Sequence, residues 1–128
     1  MSRCDIVKKR HSHSATYGGR QVEKLLKKYV PMTETAFYIL LSLTEPRHGY
    51  GIIKRVEELT EGRLKLGSGT IYGTLTKMQN DEMISIFADE RRKTIYEVTA
   101  TGKRVMQAEM VRLKELHDHV RRFEEDFL

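Results

Sequence analysis

The chain has 128 residues, of which 39% are hydrophobic and 32% charged, with one cysteine and a formal net charge of +5. This length suits a single domain around one core, and the apolar content is too high for a disordered chain. No run approaches the roughly 20 apolar residues of a membrane span, the first 20 residues have no apolar stretch of secretory-signal length, and Cys4 alone forms no internal disulfide, so a cytoplasmic protein with no membrane partner is expected.

The charge is concentrated at one end. Residues 1–30 hold eight Lys/Arg against two Asp/Glu, a net of +6, and residues 31–128 carry a net of −1. Residues 1–28 therefore read as a basic N-terminal arm, disordered or in part a short helix over "RQVEKLLKKYV". Pro31 interrupts the chain. Thr33 is then placed to cap a helix, with Glu34 in its first turn and Met32 and Phe37 at the positions of a hydrophobic staple. Phe37, Leu40 and Leu41 form its apolar stripe, and it stops before "TEPRHG". A second helix is predicted over about 48–60, with Ile52, Ile53, Val56 and Leu59 on one face. The loop "TEGRLKLGSG" leads to a third helix over 69–81, for which Ser68 is the expected cap.

The period then changes. "MISIFA" alternates, placing Ile84, Ile86 and Ala88 on one side, and "KTIYEV" alternates again around Tyr96 and Val98. Between them "DERR" is a polar tip of hairpin length. From Thr99 or Thr101 onward, one long helical pattern runs towards Leu128. Three helices, a hairpin and a long helix give a mainly α fold with a small β-hairpin wing. This is a winged helix-turn-helix domain over 29–98, followed by a C-terminal dimerisation helix over 99–128.

The third helix has an unusual first half, "GSGTIYGT". Glycine costs about 1 kcal/mol relative to alanine inside a helix. In a winged helix this segment leads into the major groove, where small residues let the backbone approach DNA and hydroxyls meet phosphates. Ile71, Leu75 and Met78 point inward on a 100° wheel. Gly69, Gly73, Thr76, Lys77 and Asn80 point outward, flanked by Thr70 and Tyr72. The candidate DNA-binding residues are Ser68, Thr70, Tyr72, Gly73, Thr76 and Lys77, with His48 at the start of the second helix and Arg91, Arg92 and Lys93 at the wing tip. Each has a plainer role: a solvated helix face, Tyr72 packed on the second helix, His48 as a cap, Asp89 and Glu90 pairing with the tip cations. Tyr50 is expected in the core.

The segments "YVPMTETAFYILLSL", "HGYGIIKRVEE", "GSGTIYGTLTKMQNDEMI" and "RRKTIYEVTATGKRV" together resemble the PadR-like transcriptional regulators, over roughly residues 29–105. The resemblance implies a dimeric DNA-binding winged helix, a repressor relieved by a small molecule, with C-terminal helices forming the dimer interface. The chain departs from the family pattern at Gly73, where proline is frequent, and at Glu82, where many members have glycine. It departs again at Ala100 and Thr101, where many members are acidic.

In the last helix Met106, Glu109, Leu113, Leu116, Val120, Phe123 and Phe127 recur at spacings of 3 and 4, an a/d seam. One small domain cannot cover about 40 Å of such a helix. Leu113, Leu116, Val120, Phe123 and Phe127 are therefore assigned to a homodimer interface. Glu109, its polar member, reads as a register device or a lining position. Met106, Met110 and Leu113 are candidates to line a pocket for a small apolar or aromatic effector. Cys4, His11 and His13 lack a fourth ligand for a closed zinc site, and His117 and His119 face different directions, so no metal or cofactor is expected. No nucleotide loop or nucleophile motif appears, and no enzyme activity is expected. The leading function is a regulator bound to double-stranded operator DNA as a homodimer. The alternative is a winged-helix protein-interaction module without DNA binding, which the near-neutral body favours.

Overall fold

The computed structural model describes residues 19–128. Cys4, His11, His13 and the basic positions before Gly19 lie outside the described residues. The elements in chain order are α1 (Gly19–Tyr29), α2 (Glu34–Ser42), β1 (Arg47–His48), α3 (Gly49–Leu59), α4 (Ser68–Asn80), β2 (Ile84–Glu90), β3 (Lys93–Val98) and α5 (Ala100–Phe123), closed by a 3-10 turn, Glu124–Phe127.

The boundary drawn at residue 28 falls inside α1, which is part of the fold. Val22, Leu25 and Tyr29 repeat at helical spacing, are buried, and pack against α5. A basic composition hid this, because the buried stripe is only three residues wide. The α2 helix begins as its sequence dictates, with Thr33 Oγ1 accepting the Ala36 N–H at 3.1 Å. Its Ile39, Leu40 and Leu43 join Ile52 and Val56 of α3 and Ile71, Leu75 and Met78 of α4 in one core. Phe37, Ile53 and Leu41 pack on its margin. Tyr50 departs from expectation: it is 59% exposed, with Lys54 Nζ 5.5 Å from its ring centroid.

Helix ends are set by backbone geometry. At the end of α4, Met83 N–H bonds Met78 O at 2.9 Å and Glu82 N–H bonds Gln79 O at 3.0 Å, with Glu82 at φ 60°. This is a Schellman cap with buried Met78 and Met83 as its hydrophobic pair. Glu61 (φ 50°) ends α3 in the same way.

The sheet has three antiparallel strands in the order β1-β3-β2, where a two-stranded wing was expected. The extra strand is only Arg47–His48, facing Tyr96 and Ile95, too short to show periodicity. It ties the start of α3 to the wing. Ile84 opposite Val98 is buried, but a bulge between Ile86 and Ala88 ends the alternation. Ile86 and Phe87 are consequently exposed, and Ala88 pairs with Ile95.

The α5 helix is anchored at both ends of its first half. Thr99 caps it, accepting the Gly102 N–H at 3.0 Å and donating its own hydroxyl to Glu82 O at 2.7 Å. A Cβ on Gly102 would stand 2.2 Å from the Met83 carbonyl oxygen, so only glycine fits between α5 and the start of β2. Two turns on, Glu109 is 1% exposed. It accepts the Met32 N–H at 2.9 Å and the Arg112 guanidinium at 3.0 Å. Glu109 therefore faces its own chain, holding the segment that starts α2. Hydrogen bonding to Arg112 holds its carboxyl below the usual range, against the opposing effect of burial and with help from Met32 N–H.

Candidate nucleic-acid interface

Two of the helices have side-chain caps and two do not. The α2 and α5 helices carry threonine caps, whereas α3 starts at His48 and α4 at Gly67, neither with a side-chain hydrogen bond to the first turn. The Ile71 N–H is the first of α4 to find an intrahelical partner, Gly67 O, at 3.0 Å. Among the described residues the amides of Ser68, Gly69 and Thr70 at its tip have no backbone partner and are open to solvent or an anion. Ser68 is thus the first helical residue and not the cap that was expected.

The outward face of α4 falls where the 100° wheel places it. Ser68, Gly69, Thr70, Tyr72, Gly73, Thr76, Lys77 and Asn80 are exposed, while Ile71, Leu75 and Met78 are buried. The glycines separate into two classes. A Cβ at Gly67, Gly69 or Gly73 would meet nothing within 4 Å among the described residues. A Cβ at Gly49 would come within 2.9–3.0 Å of the Tyr72 ring and hydroxyl. Packing therefore accounts for Gly49 and leaves Gly69 and Gly73 without an internal reason.

Tyr72 links the parts. Its ring lies over the first turn of α3 while about half its surface stays open. Tyr96 of β3 lies close enough that burial, then Tyr72 and Asp89, raise its hydroxyl above the usual phenol range. The tip of α4, the start of α3 and the wing thus form one continuous surface. Two residues on it escaped sequence reasoning, Tyr50 and Lys54, whose only signal was their i, i+4 spacing at the start of α3.

Two residues join the strands at the wing tip. Arg91 (φ 45°) and Arg92 (φ 67°) are both left-handed, as a type I′ connection demands. Asn-Gly usually fills this turn, and a residue with a Cβ costs about 1–2 kcal/mol at each position. Two long cations occupy a site where small residues would be cheaper, and both are exposed. Asp89 does not neutralise them. It accepts the Thr94 hydroxyl at 3.3 Å, and neither Arg91, Arg92 nor Lys93 has a carboxylate within 4 Å among the described residues.

Lys77 is less free than the other candidates. Its Nζ stands 5.5 Å from the centroid of the Tyr29 ring. Tyr29 donates to Asp81 at 2.5 Å, and Lys28 Nζ lies 2.8 Å from the same carboxylate. Partial burial of Asp81 works against its ionisation, but hydrogen bonds from Lys28 and Tyr29 and the Lys28 and Lys77 charges hold its carboxyl below the usual range.

Away from this face, Met106 and Met110 line a cleft of about 170 Å³ between α2 and α5, with Leu40, Leu41 and Val98. Thr44, Lys103 and Gln107 complete its lining, and Leu113 does not reach it. The distal seam stands open: Leu116, Val120 and Phe123 are 45%, 57% and 46% exposed, and Phe127 more so.

The fold and the motifs have known counterparts. A PadR family regulator of Clostridium difficile R20291 superposes with a TM-score of 0.61 at 21% identity, over 71% of this chain and 98% of that one. A PadR-like transcription factor of Bacteroides fragilis gives a TM-score of 0.56 at 27% identity, over 69% and 86%. In sequence, the transcriptional regulator YqjI of Escherichia coli strain K12 is 28% identical over 74 residues, which is 58% of this chain but 36% of that protein. The model of the transcriptional regulator PadR-like family matches residues 37–108, more than half the chain, from within α2 into α5, and the chain belongs to that family.

Proposed function

We propose that the protein binds operator DNA sequence-specifically as a homodimer and regulates transcription from the cytoplasm, as a repressor that a small molecule relieves. The observation that carries this reading is the outward face of α4, with an uncapped tip and two glycines that no internal contact requires. Among the described residues a side chain at Gly69 or Gly73 would meet nothing, which supports a close approach of the α4 backbone to a partner outside the chain. In the bound complex the amides of Ser68–Thr70 and the hydroxyls of Thr70 and Thr76 meet phosphates and base edges in the major groove. Arg91 and Arg92 reach the flanking backbone or minor groove, and Tyr50, Lys54 and His48 lie along the backbone crossed by α3. The open seam of α5 supplies the second subunit. The Met106–Met110 cleft suits a small apolar or aromatic effector.

Binding to a labelled duplex carrying the region upstream of the protein's own gene, followed over a salt series, tests the DNA reading. Phosphate contacts make log K fall linearly with log salt. Arg91→Gln with Arg92→Gln, which removes four cations from the homodimer, should flatten that slope by about 4 with the fold intact. Salt-independent or undetectable binding by the wild-type protein would instead favour the protein-interaction module.

A further inference from the structure

We propose that α1 is a second DNA-backbone element, its exposed stripe Arg20, Lys24 and Lys27 gripping phosphates beside the site covered by α4. This rests on the DNA-binding reading above and extends it to a helix outside the region matched by the family, which begins at residue 37.

The α1 helix buries Val22, Leu25 and Tyr29. At 100° per residue the opposite side carries Arg20, Lys24 and Lys27, all exposed. Glu23 is the only acid on the helix and falls on the flank beyond Lys27. The other flank is Gln21 and Lys28, and it is fastened to the end of α4. Gln21 Nε2 donates to Glu82 at 3.1 Å, Lys28 Nζ to Asp81 at 2.8 Å, and Tyr29 to the same Asp81. Lys77, on the outward face of α4, closes over the Tyr29 ring. The basic side of α1 therefore continues the outward face of α4 past Lys77, on a helix locked in orientation. Asp81, the acid at the join, is already engaged by Lys28 and Tyr29 and does not oppose an incoming phosphate with a free charge.

The dimensions suit a DNA strand. Arg20, Lys24 and Lys27 span about 10 Å of helix axis at 1.5 Å per residue, and phosphates of one strand rise about 3.4 Å per nucleotide while winding about the duplex, so the stripe is long enough to meet two or more of them. Lys27 in the last turn also favours the helix dipole, but Arg20, in the first turn, opposes it. Helix stability thus explains one end of the stripe and not the other.

The test is anisotropy of a 40-base-pair upstream-region duplex and a mixed-sequence duplex of the same length. Wild-type protein is compared with the triple variant Arg20→Gln, Lys24→Gln, Lys27→Gln between about 50 and 300 mM salt. The melting temperature should hold, because all three side chains are exposed and glutamine is a good helix former. The salt slope should flatten by about 5 on both duplexes alike, since six cations are lost per homodimer and backbone contacts carry no sequence information. Lys24→Glu alone, which changes the charge at one site, should weaken both. If the wild type shows a steep slope and the variants keep it, the stripe is a solvated or protein-facing surface and the proposal fails alone. If the wild type shows no salt-dependent binding, the DNA reading fails and takes this inference with it.

Discussion

Two residues show how local strain and local permissiveness mark different tasks. Glu82 sits left-handed at the Schellman cap of α4, a position that suits glycine, and its carboxylate returns only an exposed hydrogen bond from Gln21. Relieving about 1–2 kcal/mol of strain outweighs the roughly 0.5–1 kcal/mol of extra chain entropy that glycine loses on folding. Glu82→Gly should therefore raise the melting temperature by a few degrees while leaving the outward face of α4 unchanged. Thermal unfolding by circular dichroism decides it, and a lower melting temperature would mean that the Gln21 bond outweighs the strain. Gly73 presents the opposite case. Its surroundings are open and its φ is helical, so Gly73→Ala should stabilise α4 by up to about 1 kcal/mol. The same methyl group would stand between the helix backbone and the groove, and operator affinity should fall while stability rises. Parallel gains in both would show that the backbone at Gly73 does not approach DNA.

At the scale of elements, the sequence was legible where periodicity was long and illegible where an element was short or its pattern interrupted. The α2, α3, α4 and α5 helices, the threonine caps of α2 and α5, and the inward set Ile71, Leu75 and Met78 all followed from spacing and cap chemistry. The two-residue β1 strand left no periodic trace, and the bulge after Ile86 broke the alternation that would have buried it. The α1 helix was legible as a short helix over 20–30, but its buried side was obscured by its charge. Of the candidate interface, the exposed face of α4 was readable. The seating of Tyr72 on Gly49 was a contact between elements that spacing could suggest but not place. Glu109 is the clearest case of a heptad position taken over by a tertiary joint. It binds α5 to the start of α2 through Met32 N–H and Arg112. Its carboxyl is depressed in the fold, so the stability it contributes is complete above the ordinary carboxylate pKa of about 4.3 and is lost as pH falls below it through the folded value. Glu109→Gln keeps an acceptor for Met32 but leaves Arg112 without its anion, and should cost about 1–3 kcal/mol at neutral pH. Its acid limb of stability against pH should also be shallower than that of the wild type. An unchanged acid limb would place the titrating carboxylate elsewhere, Asp81 being the next choice.

Across the whole molecule, α5 divides into a covered half and an exposed half among the described residues. Its first half is taken by α1, α2 and the start of β2, and its second half presents Leu116, Val120 and Phe123 to solvent along a helix of about 36 Å. In the homodimer proposed above, a second copy would bury that stripe on both subunits by symmetry. Leu116→Asp would place an unpartnered carboxylate in the apolar seam, and the dimer would contain two. An uncompensated buried charge costs several kcal/mol, enough to give a monomer at micromolar concentration. The winged-helix core should remain folded, because Leu40, Ile52, Ile71, Leu75 and Val105 close it without Leu116. Operator affinity should then drop by about 10² to 10⁴, the advantage of two linked recognition helices meeting half-sites about one turn of DNA apart. Light scattering reports the mass, anisotropy the affinity, and circular dichroism the fold. A Leu116→Asp protein that remains dimeric with full affinity would remove α5 as the dimerisation element. A folded monomer that kept full affinity would show that one recognition helix, with the wing and α1, suffices for the operator.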